Sequence, residues 1–347
     1  MRHRIHIHTL ILLTLASTAL PAQAQYTAYD LGSLGGSMGQ ATGINSAGTV
    51  AGYSFLSPYI WHAFSYSGGH MTDLGTLGGS WSAANAINSA GTIVGNTQTG
   101  GGANHAFSYS NGHMTDLGTL GGTTSEAWAI NSAGSIVGNS YLSGGSVAHA
   151  FSYSGGHMTD LGALGSLSSF ARGINSGGTI VGYSDISSGS HAFSYSNGNM
   201  TDLGTLGGNE SWAYGINDAG TIVGDSTTSG FIGAHAFSYS GGVMTDLGIA
   251  GAALGINSGG TIVGYSTTSG GGYRAFSYSG GVVTDLAPFL ASIGLTGSSQ
   301  AEAIDDNGDI VGYVGTEAFL LTVIPEPSAV AVSALGAGVL ILFRRRK

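Results

Sequence analysis

Cysteine is absent from the 347 residues. That removes disulfide scaffolds, thiolate zinc sites and cysteine nucleophiles from consideration. Charge is scarce as well: Asp, Glu, Lys and Arg together make 7% of the chain, against about 25% in an average protein. Eight basic residues face 18 acidic ones, so the positive surface that nucleic-acid binding needs is missing. There is no phosphate-binding P-loop, no dinucleotide fingerprint and no His-Glu-x-x-His. No window of residues 25–324 carries sustained helical periodicity. What the chain has in excess is glycine, 63 residues, roughly 18% against an average near 7%. With 42% apolar residues and little charge, this is not the composition of a disordered chain, which is polar and highly charged.

The two ends read as addresses. Arg2 and Arg4 precede the apolar stretch Thr9–Leu20, and Pro21-Ala22-Gln23-Ala24 follows. That order predicts a secretory signal peptide over 1–24, with Ala22 and Ala24 as the small residues of the cleavage site. At the other end, Pro325-Glu326-Pro327 precedes an uncharged, mostly apolar run over 328–343, and Arg344, Arg345, Arg346 and Lys347 follow at once. A 16-residue helix rises about 24 Å, slightly short of a bilayer core of roughly 30 Å. Flanking residues and local thinning cover the difference, and the four cations act as a membrane stop on the cytoplasmic side. Motif, apolar span and basic stop, in that order over 325–347, closely resemble the PEP-CTERM sorting signal of Gram-negative bacteria. The resemblance implies an exosortase-type processing enzyme as partner. It also implies transient residence in the inner membrane through the C-terminal helix, and export to the cell envelope, cell surface or extracellular matrix.

Between the ends, residues 25–324 repeat themselves. Phe64, Phe107, Phe151, Phe193, Phe237, Phe276 and Phe319 each follow an alanine, at spacings of 43, 44, 42, 44, 39 and 43. An Asp-Leu pair recurs at Asp30, Asp73, Asp116, Asp160, Asp202, Asp246 and Asp285. An Ile-Asn pair recurs six times from Asn45 to Asn257, with Asp305 in the last copy. One unit predicts four short strands: 62–67 around Phe64 and Tyr66, 70–74, the alanine-rich 82–88, and 92–96. Gly68-Gly69, with Asn111-Gly112 and Asn197-Gly198 in sister copies, is a two-residue hairpin signal.

Four strands in about 43 residues is the period of propeller blades. The expectation is an all-β chain, a seven-bladed β-propeller over 25–324. Residues 26–31 and 318–324 are partial copies, and pairing them would close the ring by its N- and C-terminal strands. A β-solenoid is the alternative. With Gly68-Gly69 as the turn, Phe64 opposes Asp73 and Tyr66 opposes Met71. Large side chains then share one face, and Ala63, Ser65, Thr72 and Leu74 the other. A large face against a small face suits sheets stacked side by side. The glycines of the Thr-Ile-Val-Gly strands are expected where the sheets converge. The words His-Ala-Phe and Asp-Leu-Gly resemble the HAF family of probable extracellular repeats over nearly all of 26–324. His62, His105, His149, His191 and His235 match the triplet, and Arg274 and Glu317 depart from it.

Chemistry is harder to find. The five triplet histidines, and His70, His113 and His157, could form a circle of imidazoles, but their inconstancy favours each serving its own repeat. The recurrent Asp is expected beside Phe on a sheet face, held by glycine-loop N–H groups or a nearby Ser or Thr. Glu126, Glu210, Glu302 and Glu317 fall in different repeats and mark no catalytic pair. Asp305–Asp309 is a partial calcium-loop pattern, but its sister copies are ordinary turns. Trp81, Trp128 and Trp212 recur at nearly the same expected loop position, either buried or on offer to a sugar. The marked irregularity is 288–300. Residues 25–324 hold two arginines, Arg172 and Arg274, no lysine and 17 acids, a formal charge of −15.

The sequence therefore predicts a non-enzymatic exported surface or matrix protein of the biofilm or exopolysaccharide kind, with no cofactor, no metal and no catalytic residues. Exopolysaccharide is the expected partner besides the exosortase. A carbohydrate-binding propeller module and a propeller-class extracellular enzyme are the alternatives.

Overall fold

A computed structural model describes residues 25–165, 167–230 and 233–325. The signal-peptide segment with Ala22 and Ala24 lies outside them. So do Glu326, Pro327, the 328–343 span and Arg344–Lys347. Pro325 is the last described residue and is exposed. Among the described residues no helix is long and apolar enough to cross a membrane.

The described residues are all-β apart from one five-residue helix, Ala287–Ala291, at the start of the irregular 288–300 stretch. Its strands form antiparallel four-stranded meanders. One runs Gly78–Ile87, Ile93–Thr99, Asn104–Ser110 and His113–Asp116. Each sheet thus begins on the alanine-rich strand, half a repeat out of phase with the words of the sequence. The glycine loop after Asp-Leu carries the chain from the outermost strand of one sheet to the first strand of the next.

The first strands are Gly39–Ile44, Gly78–Ile87, Gly121–Ile130, Ser169–Ile174, Gly207–Ile216, the C-terminal half of Val243–Ile256, and Ser299–Ile304. They touch in that order, and Ser299–Ile304 also touches Gly39–Ile44. The last sheet takes its fourth strand from the other end of the chain: Tyr26–Asp30 pairs with Glu317–Val323, Tyr26 opposite Val323 and Asp30 opposite Phe319. Pairing within each four-stranded meander is antiparallel, unlike the parallel rungs of a β-solenoid; the parallel pairs Trp61–Trp81 and Asn104–Thr124 are single bridges between neighbouring meanders.

The hairpin register is as the sequence predicts. Phe64 opposes Asp73, Tyr66 opposes Met71 and Ser67 opposes His70. Gly68 and Gly69 adopt φ of 58° and 83°, and Asn111 and Asn197 adopt 51° and 52°, as a two-residue turn of this hand requires.

The core follows from that register. All seven Phe rings are at most 1% exposed. Phe107 packs on Ala51, Ala63 and Leu74 of the preceding sheet. Phe151 packs likewise on Ala106 and Leu117, and Phe64 on Leu31, Val311 and Ala318 of the terminal sheet. Each ring buried this way contributes on the order of 1.5–3 kcal/mol. The glycine expectation needs correction. Gly52, in a Thr-Ile-Val-Gly-type strand, lies opposite Phe64 within its own sheet. A Cβ there would meet the Gln40 carbonyl oxygen and come within 2.9 Å of the Phe64 ring. Convergence between sheets falls instead to the first strands, where a Cβ on Gly43 would sit 3.2 Å from Ala86 Cα.

Candidate functional site

At the rim, recurrence serves structure. His62 Nδ1 lies 2.8 Å from the Asp73 carboxylate, and the same 2.8 Å contact joins His105 to Asp116, His149 to Asp160, His191 to Asp202 and His235 to Asp246. Arg274, where the triplet departs, keeps the contact by donating to Asp285 at 2.8 Å. Each imidazole is thus engaged by its own sheet. The Asp side chains are 37–44% exposed, not buried beside Phe as the sequence led us to expect, because they stand on the outermost strand. Their glycine-loop partner is as expected: Gly75 N–H donates to Asp73 at 2.7 Å. His70, His113 and His157 are exposed at the hairpin turns.

The Ile-Asn asparagines form a second system, which joins one sheet to the next. Asn45 Nδ2 donates to the Asn88 carbonyl at 3.1 Å, Asn88 to that of Asn131, and the series continues to Asn257 and Asp305. Asp305 cannot donate; Asn307 Nδ2 takes over and reaches the Ser46 carbonyl at 3.0 Å. The Asp305–Asp309 segment is a turn, with Asp305 accepting from the Asn307 and Asp309 N–H groups at 2.9 Å.

On the axis one position of the repeat differs in every copy. The first strands carry a common pattern, a fully buried alanine, one variable residue, then Gly or Ala, then Ile. The seven variable residues are Thr42, Asn85, Trp128, Arg172, Tyr214, Leu254 and Glu302, and all seven line one cavity of about 320 Å³. The small residues beside them let the strands converge, which turns the variable side chains toward shared space. Ile174 and Ile216 line both this cavity and a second of about 210 Å³ among the Asn turns, and so form an apolar collar between the two.

The cavity wall is mixed, more apolar than polar, and asymmetric. Arg172 lies over Trp128, its Cζ 3.8 Å from the ring centroid. Arg172 Nη2 donates to the Tyr183 hydroxyl at 3.3 Å, while its buried Nε has no partner. Trp128 Nε1 donates to Asn139 Oδ1 at 2.8 Å. Burial lifts the Glu302 carboxyl to about 7, and the carboxyl has no hydrogen-bond partner among the described residues. Behind Tyr214 lies Asp225, also lifted to about 7, chiefly by burial and further by the charge of Glu210; its hydrogen bond from Tyr214 works the other way. Burial raises the Tyr214 hydroxyl far above its usual range. One displaced carboxyl, Glu302, and one underbonded guanidinium, Arg172, therefore line the concavity, with the second displaced carboxyl, Asp225, behind its wall, and the concavity is the candidate site.

Of the residues marked in the sequence, only Trp128, Glu302 and Arg172 meet here. Trp81 and Trp212 do not: all three Trp residues stand on first strands rather than loops, at three different registers. Trp81 stacks on Trp61 at 5.5 Å, and Trp61 on Phe55 at 5.4 Å. Among the described residues no group of three His, Asp or Glu side chains is placed to hold a metal ion. The Thr42–Glu302 ring has no recurrent word to mark it in the sequence. The signal was there, in the one position of Ala-x-Gly/Ala-Ile that differs in every copy.

No protein-family model matches the sequence, and no curated protein matches it. Among solved structures, the chain is similar to the β-propeller domain of the Trilobed protease from Pyrococcus furiosus, at TM-score 0.50 and 12% identity, covering 74% of this chain and 84% of that one. It is also similar to TolB from Acinetobacter baumannii, at TM-score 0.48 and 11% identity, covering 82% of this chain and 63% of that one. A third is the Aleuria aurantia lectin, at TM-score 0.42 and 13% identity, covering 76% and 94%. The chain thus spans just under two thirds of the length of TolB. The first of these likenesses shows the fold and nothing more: the chain is a β-propeller.

Proposed function

We propose that the chain is an exported, non-enzymatic binding protein of the cell surface or extracellular matrix, built as a closed seven-bladed propeller whose axial cavity takes a small polar ligand. The observation that carries the binding role is the ring from Thr42 to Glu302: seven equivalent positions, seven different residues, one cavity. Where the flanking Ala, the Gly or Ala, and the Ile repeat from copy to copy, a position that differs in all seven and faces one concavity is expected of a site that reads a ligand. Closure is supported by the pairing of Tyr26–Asp30 with Glu317–Val323, by Asn307 donating to Ser46, and by Phe64 packed on Ala318. A count of seven blades is supported by the seven first strands. Export and sorting rest on the signal-peptide pattern of 1–24 and the PEP-CTERM resemblance of 325–347, with an exosortase as processing partner and exopolysaccharide as the surrounding matrix.

A small-molecule panel followed by the Trp128 indole N–H resonance tests the binding role. A ligand that moves it in the wild type and not in Arg172→Gln is expected. A panel that moves only rim resonances rejects the axial site. For sorting, a tagged chain should reach the envelope or medium, and fail to do so when Pro325–Pro327 is replaced.

The two carboxyls lifted to about 7 favour a second reading, acid–base catalysis on a glycan or ester. Turnover lost in Glu302→Gln would establish it.

A further inference from the structure

Arg172 and Glu302 stand out from every other charged pair in the domain. At the rim, a histidine or arginine meets a carboxylate at 2.8 Å, Arg274 on Asp285 included. On the axis, opposite charges share one cavity and stay apart. Arg172 makes no ion pair among the described residues, and Glu302 makes none either. In the order of contact between first strands they stand three apart in a series of seven, across the cavity from one another. A guanidinium has five N–H donors, and this one uses one, at 3.3 Å, with Nε buried and unpartnered. Its Cζ sits over the Trp128 ring at 3.8 Å from the centroid, which restrains the side chain. A planar, restrained, underbonded guanidinium can take a carboxylate through two parallel bonds. Opposite it, Glu302 can accept from an ammonium group.

Arg172 and Glu302 are half-buried in the cavity wall; a charge left unpaired there costs part of its hydration, and neither is paired among the described residues. A ligand bearing one negative and one positive group would relieve both. A ligand with only an anion would leave Glu302 as it is, and one with only a cation would leave Arg172. The volume sets the scale: about 320 Å³ holds about ten waters at ~30 Å³ each, room for an amino acid or a very short peptide.

From these observations we infer that the axial cavity binds a small zwitterion, its carboxylate on Arg172 and its ammonium on Glu302. The inference rests on the cavity being the binding site. The groups facing Glu302 are Tyr53, Tyr265 and Tyr313, whose hydroxyls are pushed upward by burial and, secondarily, by charges that include Glu302, so they stay neutral between pH 6 and 8. Asp225, behind Tyr214, is the other group that titrates in that window. An ammonium on Glu302 draws its carboxyl downward, so binding near pH 7 releases a proton and affinity rises with pH.

The test is calorimetry and Trp128 indole resonance shifts with glycine, β-alanine, γ-aminobutyrate and diglycine, beside acetate, methylammonium, galactose and galacturonate. One zwitterion should bind at least tenfold more tightly than acetate or methylammonium. That preference should fall at least tenfold in Arg172→Gln and in Glu302→Gln, with both variants melting as cooperatively as wild type. Arg172→Lys should fall between them, and proton release should vanish in Glu302→Gln. Galactose or galacturonate binding on the axis while zwitterions do not would overturn the zwitterion and leave the axial site standing. Silence of the Trp128 resonance to every probe would remove both.

Discussion

The rim and the axis of this propeller are built from the same repeat and treat it in opposite ways. On the third and fourth strands, His-Ala-Phe and Asp-Leu-Gly recur, and every recurrence has a structural use: a ring buried against the next sheet, a carboxylate closed by a histidine or arginine, a loop N–H capped by Asp. On the first strand the buried alanine, the small residue and the isoleucine recur, and the residue among them never does. Repetition is tolerated wherever a side chain faces its own neighbours, because the neighbours repeat too. It ends where seven side chains meet one space, since identical residues there would offer a ligand the same group seven times over.

The largest expected effect lies in the repeated core. Phe151→Ala removes a ring that is 0% exposed and should lower stability by roughly 3–5 kcal/mol, read by denaturant unfolding; a loss below 1 kcal/mol would mean the sheets do not depend on that contact. Next is the asparagine girdle. Asn131 donates to the Asn175 carbonyl at 3.1 Å and accepts from Ser135 N–H at 2.9 Å. Asn131→Ala should therefore cost about 1–3 kcal/mol, with broader unfolding if neighbouring blades lose their coupling.

The axis should respond with the opposite sign. A carboxyl whose folded pKa is raised holds more protons folded than unfolded between about pH 4 and 7, so its contribution to stability is present at the acid end and lost as pH rises through about 7. Glu302→Gln should therefore stabilise the protein at pH 8 by roughly 1–3 kcal/mol and change little at pH 4.5. Thermal melts at the two pH values decide it; destabilisation at pH 8 would show that Glu302 supports the fold. The smallest effect belongs to the rim pairs. His149→Ala breaks a contact whose carboxylate is 41% exposed, and should cost less than about 1 kcal/mol.

Much of this architecture was legible because duplication repeats its own evidence. The Gly68-Gly69 turn fixed the register that placed Phe64 opposite Asp73, and partial copies at the two ends pointed to Tyr26–Asp30 pairing with Glu317–Val323. That register also put His62 on the face of Asp73, so their contact could have been drawn from it. The asparagine girdle could not: Asn88 reads as a turn residue, and its partner Asn131 is set by how two sheets pack. Trp128 was noticed beside Trp81 and Trp212 as a recurrence, which hid that it belongs with Arg172, Tyr214 and Glu302.

The division between rim and axis is tested most directly by two multiple variants measured side by side. One replaces Trp128, Arg172, Tyr214 and Glu302 with Asn, the residue at position 85; the other replaces His62, His105, His149 and His191 with Asn. Both are assayed for unfolding and for the zwitterion and sugar panel. The account predicts that the axial variant unfolds cooperatively and has lost all binding, while the rim variant is less stable than wild type and binds as wild type does. Binding that survives in the axial variant, or is lost in the rim variant, would contradict it.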